Sequence, residues 1–202
     1  MLQRLLAGAL AGLFALSFAS AQVPEAETFV VGLVTELRQN AEQQGEGSPA
    51  VRATLEENLA TESIGKFLLA GDAAKSATDD QRARYDALFP QYIAAAYAEE
   101  IGQLTSREIR VTRSLERRPG DVIVQSALYD DRGAKRASID WRVRGTPESG
   151  YKLLDVLVER ISPLITRRQS FSERVRNDGM DGLLAHMQET IDAGVTIEKD
   201  AE

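Results

Sequence analysis

Between residues 25 and 43 the apolar positions Phe29, Val30, Leu33, Val34 and Leu37 recur at intervals of three and four. That spacing puts them on one face of an α-helix, which turns once in about 3.6 residues. Gly45-Glu46-Gly47-Ser48 ends the pattern, and Pro49 suits the first position of a second helix, where no N–H is needed. The second helix is expected to reach about residue 59 and a third to cover 61–69, before Gly71 interrupts the chain. Thr78 followed by Gln81 has the form of a capping box and predicts a long helix to about residue 104. Its apolar face is broad and aromatic, with Tyr85, Leu88, Phe89, Tyr92, Ile93, Ala96 and Tyr97.

From Arg107 the period changes to two. Ile109, Val111 and Leu115 fall in a first strand, and Val122, Ile123 and Val124 in a second. Ile139, Trp141 and Val143 alternate with Ser138, Asp140, Arg142 and Arg144 in a third. A fourth covers 151–159, with Leu154, Val156 and Val158 on one face. The links at 118–121, 130–133 and 145–150 are short and rich in Gly, Pro and Asp. Parallel neighbours need longer crossovers, so the pattern predicts an antiparallel meander. Two closing helices are expected at 162–175 and 180–191, divided by Asn177-Asp178-Gly179, with a loose tail over 193–202. Helices before and after four strands make an α+β fold, with helices covering one sheet face. No repeat or long linker divides residues 22–192, which read as one domain.

Residues 1–21 have a different pattern. Arg4 precedes a continuous apolar run from Leu5 to Ala19, and Ala19-Ser20-Ala21 provides small residues for cleavage. This is the three-part form of a secretory signal peptide, with a run too short for a typical membrane span. Cleavage after Ala21 leaves 181 residues beginning at Gln22, and no Cys follows the run to carry a lipid anchor.

Composition narrows the chemistry. The chain has 202 residues, no Cys, one His and a net charge of −7, which becomes −8 once Arg4 is removed. Disulfides, thiolate metal sites and a cysteine nucleophile are excluded, as is any site needing two imidazoles. An acidic balance argues against nucleic acid as a partner. There is no Gly-Xaa-Ser-Xaa-Gly elbow, phosphate-cradling Gly-rich loop or metal-spaced His pair. His186 stands alone on a closing helix and reads as a solvated side chain. Asp155 and Glu159 lie four residues apart on one strand, roughly 13 Å, too far for glycosidase chemistry. The arginines at 107, 110, 113, 117, 118, 142 and 144 form either solvated strand faces or a local basic patch. The Tyr85–Tyr97 stripe reads as core or as a ligand wall; Ala94-Ala95-Ala96 among its aromatics leaves room for a cavity.

Three blocks carry a family resemblance. The first is Ser76-Ala77-Thr78-Asp79-Asp80-Gln81-Arg82-Ala83-Arg84-Tyr85, followed by Phe89 and Tyr97-Ala98. The second is Tyr151-Lys152-Leu153-Leu154-Asp155-Val156-Leu157-Val158-Glu159 with Ile161-Ser162, and the third is Arg168-Gln169-Ser170-Phe171 with Asn177-Asp178-Gly179-Met180-Asp181-Gly182-Leu183-Leu184. In this order, over residues 25–191, they resemble the MlaC family of periplasmic lipid carriers. Arg160 departs from that pattern, standing where the family motif has Gly, and 66–74 lacks the family's Trp-Arg pair.

The resemblance implies a twisted four-stranded sheet packed by helices around an apolar pocket for acyl chains. It implies phospholipid as ligand, no cofactor, no catalytic residue and no metal. It also implies a monomeric shuttle between an outer-membrane lipoprotein complex and an inner-membrane ABC transporter complex, maintaining outer-membrane lipid asymmetry. The expected lipid-contacting residues are Phe89, Tyr92, Ile93, Ala96 and Tyr97 on the helix, and Ile139, Trp141, Val143, Val156 and Val158 on the sheet. Competing readings are a carrier of another amphiphile such as a hopanoid, a non-lipid envelope adaptor with a filled core, and a small exported enzyme.

Overall fold

A computed structural model describes residues 22–199. The expected signal segment 1–21 and the last three residues of the expected tail lie outside the described residues. Five helices lead the chain: α1 (Pro24–Gln44), α2 (Pro49–Asn58), α3 (Thr61–Leu68), α4 (Asp72–Ser76) and α5 (Asp79–Thr105). Four strands follow, β1 (Glu108–Arg118), β2 (Asp121–Tyr129), β3 (Lys135–Thr146) and β4 (Gly150–Val158), and α6 (Pro163–Lys199) closes the fold. The short α4 has no signal in the hydrophobic pattern. Ser48 caps α2 through its side chain, and the Thr78–Gln81 capping box at the start of α5 is complete in both directions.

The strands form an antiparallel sheet in the order β1-β2-β3-β4. Ile139, Trp141 and Val143 of β3 share its inner face with Val122 and Val124 of β2. Two register shifts change which residues join them. The irregularity after Val111 turns Leu115 outward, opposite Ile123, and brings Ser114 inward opposite Val124. A shift between Arg142 and Val143 leaves Leu154 without a paired residue, so Leu153 takes the place opposite Val143, while Val156 and Val158 oppose Trp141 and Ile139. The fourth strand therefore adds Leu153 to the expected Leu154, Val156 and Val158 on its buried side.

Helix α1 packs on β1 and β2, α2 and α5 pack beside it, and α6 reaches the sheet at β4, the edge strand. The outer face is polar, as an antiparallel sheet with one wet side allows. Its arginines are engaged there: Arg142 with Asp121, Arg113 with Gln125 and Arg110 with Glu108. The two expected closing helices, carried together in α6, meet at a kink at Gly179, whose φ of 72° and ψ of −179° break the helical path. That conformation is open essentially to glycine alone. Beyond Gly179 the helix continues to Lys199, past the expected end near residue 191, and the Gly194 carbonyl accepts a hydrogen bond from Arg52.

Candidate functional site

The broad stripe of α5 serves two purposes along its length. At its first turns, Tyr85 and Phe89 are sealed in an aromatic cluster with Phe171 of α6, and the Tyr85 hydroxyl donates to the Gly65 carbonyl at 3.0 Å. Further along, Tyr92, Ile93, Tyr97, Ile101 and Leu104 border a cavity of about 910 Å³. Leu59 and Ile64 add to the lining. Edge strand β4 forms the opposite wall with Leu153, Leu154, Asp155, Val156 and Val158. Helix α6 covers the remaining side with Leu164, Thr166, Arg167, Ser170, Phe171, Arg174 and His186. The cavity is predominantly apolar and near the upper end of ordinary ligand-site volumes. It opens at the β4–α6 turn, where Ile161 lines the rim with 71% of its surface exposed.

Five of the ten expected contact residues line this space: Tyr92, Ile93, Tyr97, Val156 and Val158. The other five do not. Ile139, Trp141 and Val143 are 0% exposed, buried in the core under the helices. Trp141 is a satisfied core residue, donating from Nε1 to Ser126 at 2.9 Å. These three were expected on the cavity wall because their face is the apolar one, but only edge strand β4 of that face reaches the open space. Phe89 packs against Gly65 and the neighbouring tyrosines. Ala96 also lies outside the lining. Its neighbour Ala95 faces Gly194, so small residues here let α5 and α6 approach closely and do not make room for a ligand.

Sequence reasoning missed the whole α6 wall. Arg167, Ser170, Phe171 and Arg174 follow at three, four and seven residues, a face of helical spacing whose arginines hide its apolar component. The α5 stripe continues at helical spacing to Ile101 and Leu104, a signal present in the sequence. His186 is half-buried beside the Tyr92 ring, with centroids 6.2 Å apart, and is not the solvated side chain expected. Burial and the nearby Arg174 lower its pKa, favouring the neutral ring.

The polar groups of the cavity are mostly held by the fold. Asp155 accepts from the Ser162 hydroxyl at 2.6 Å and the Val156 N–H at 3.0 Å, while burial pushes its pKa above the usual carboxylate value. Glu159 accepts from the Ser138 N–H at 2.5 Å. Both carboxylates thus have structural partners. Arg167 donates to Tyr97 at 3.2 Å and to Tyr92 at 3.0 Å. Among the described residues no group of side chains is arranged to hold a metal ion, and no helix is long and apolar enough to cross a membrane.

A family model described as MlaC protein matches residues 27–189, most of the chain. The chain belongs to the MlaC family. A solved structure, the phospholipid-binding protein from Ralstonia solanacearum in complex with a phospholipid, has a similar fold at 16% identity and a TM-score of 0.61. The alignment covers 85% of this chain and 99% of that one. This MlaC-family chain therefore has the expected α+β architecture, with its cavity between the sheet edge and two helices.

Proposed function

We propose that this protein is a periplasmic phospholipid carrier whose cavity shields acyl chains from water. The single observation carrying the reading is the apolar, partly open cavity of about 910 Å³ in a fold shared with a protein solved with a phospholipid. The physical need is large. Each buried methylene contributes roughly 0.8 kcal/mol, so exposing two chains of about sixteen carbons costs on the order of 20 kcal/mol. A carrier must cover that surface and can leave the polar end near the opening.

In this reading the tails run along Tyr92, Ile93, Tyr97, Val156 and Val158, with Ile101 and Leu164 completing the apolar wall. Residues 1–21 act as the export signal. The protein acts as a carrier without a catalytic step, consistent with the hydrogen bonds that occupy Asp155 and Glu159. It exchanges lipid as a monomer with the outer-membrane lipoprotein and inner-membrane ABC transporter complexes of its family, maintaining lipid asymmetry.

Mass spectrometry of lipid extracted from the purified protein tests the reading. Diacyl phospholipid is expected in a stoichiometric amount. A hopanoid in its place changes the cargo, and a protein that neither retains nor takes up any lipid ends the carrier reading.

A further inference from the structure

Arg167 is a half-buried cation on an apolar wall, and among the described residues no carboxylate forms an ion pair with it. Its hydrogen bonds go instead to two neutral oxygens, the hydroxyls of Tyr97 and Tyr92. The guanidinium also lies over the Tyr97 ring, 4.6 Å from its centroid. These contacts fix the group in place without neutralising it. A guanidinium has more N–H donors than two phenols can accept. Each phenol, having accepted, still carries its own O–H. The Tyr85 hydroxyl donates to the Gly65 carbonyl, but neither the Tyr92 nor the Tyr97 hydroxyl donates to any acceptor among the described residues. Three donor groups from α5 and α6 therefore converge with no anionic acceptor among them.

The other charges at the cavity do not fill that role. Asp155 is held by Ser162 and Val156, and Glu159 by Ser138. Glu100 is exposed near Tyr97 and makes no ion pair with Arg167. Arg174, two turns along α6, adds a second cation to the same wall and leans toward Asp178 at 3.8 Å. Desolvating a cation without a counter-charge is unfavourable, and an acceptor-only anion removes the penalty.

We propose that Arg167, with the hydroxyls of Tyr92 and Tyr97, binds the phosphate oxyanion of the carried lipid. The inference rests on the carrier reading above. A phosphodiester offers several acceptor lone pairs and no donors on its free oxygens, matching the planar fork and the two phenols. The same arrangement discriminates. A neutral amphiphile with identical tails leaves the guanidinium desolvated and unmatched, so the cluster selects against it.

Native mass spectrometry on delipidated protein, offered dioleoyl phosphatidylglycerol, dioleoylglycerol and oleate in equal amounts, tests this. Wild type is expected to prefer the phospholipid over dioleoylglycerol by about tenfold. In Arg167→Met that ratio falls toward one, and Arg167→Lys recovers part of it by keeping the charge without the fork. If Arg167→Met fails to fold, Tyr97→Phe removes one O–H, keeps the ring and should lower the ratio several-fold. An unchanged ratio in the folded variants overturns the phosphate assignment and leaves the carrier reading standing. An Arg167-dependent preference for oleate overturns it in favour of a carboxylate. Uptake of none of the probes by wild type removes both this inference and the carrier reading.

Discussion

Arg160 is held at a φ of 66°, immediately after Glu159 at 50°, in the left-handed region that disfavours side chains bearing a Cβ. This is the position at which the family pattern has Gly, and the backbone explains that preference. Arg160→Gly is expected to raise stability by up to about 1 kcal/mol, read as a shift in denaturant midpoint with unchanged slope. Asp121 is a second residue with a legible energetic role. It receives Arg142 through Nε at 2.9 Å and Nη2 at 2.7 Å, and Arg118 at 3.0 Å. Hydrogen bonding and the charge of Arg142, with Arg118 adding to both, hold its pKa at about 2, below the ordinary 3.8. The stabilisation is therefore complete above about pH 4 and is lost as the pH falls toward 2. Asp121→Asn should lose about 1–2 kcal/mol at neutral pH and flatten the acid limb of a melting-temperature profile. The sequence carries both arginines and the aspartate, but it takes the pairing of β2 with β1 on one side and β3 on the other to bring them together, which a composition argument does not contain.

At the scale of elements, identical residues have opposite expected effects. Gly102 lies where α5 passes the loop after α1, and a Cβ there would stand 2.4 Å from the Glu46 carbonyl oxygen. Gly32, on the exposed face of α1, has no atom within 4 Å of an added Cβ. Gly102→Ala is expected to destabilise by about 1–3 kcal/mol despite the better helix propensity of alanine. Gly32→Ala is expected to stabilise by about 0.5–1 kcal/mol, and chemical denaturation of the pair checks both signs. Helix and strand positions were largely legible, because periodicity and caps are local signals. The errors fall where one residue changes the phase. The irregularity near Thr112 turns Leu115 to the other face, and the one at Leu154 adds Leu153 to the buried side of β4.

For the whole molecule, the distinction that matters is between apolar surface that is packed and apolar surface that is open. Tyr92 borders the cavity but is 1% exposed, so a charged replacement there should unfold the protein. Val156 is half-buried on the edge strand and lines the cavity. Val156→Arg is expected to keep the far-ultraviolet circular dichroism of wild type while abolishing lipid co-purification. Retained lipid would move the tails away from β4. By itself the sequence determined the α+β class, the meander, the capped long helix, the family resemblance and the absence of Cys or paired His, because periodicity, composition and motif order are properties of the chain. Only the tertiary structure decided that Ile139, Trp141 and Val143 fill the core while Val156 and Val158 meet open space. It also joined Arg167 to Tyr97 and Tyr92, 70 and 75 residues away. A cavity is packing withheld between segments distant in sequence, and residues beside it have the same hydrophobicity as residues beneath it.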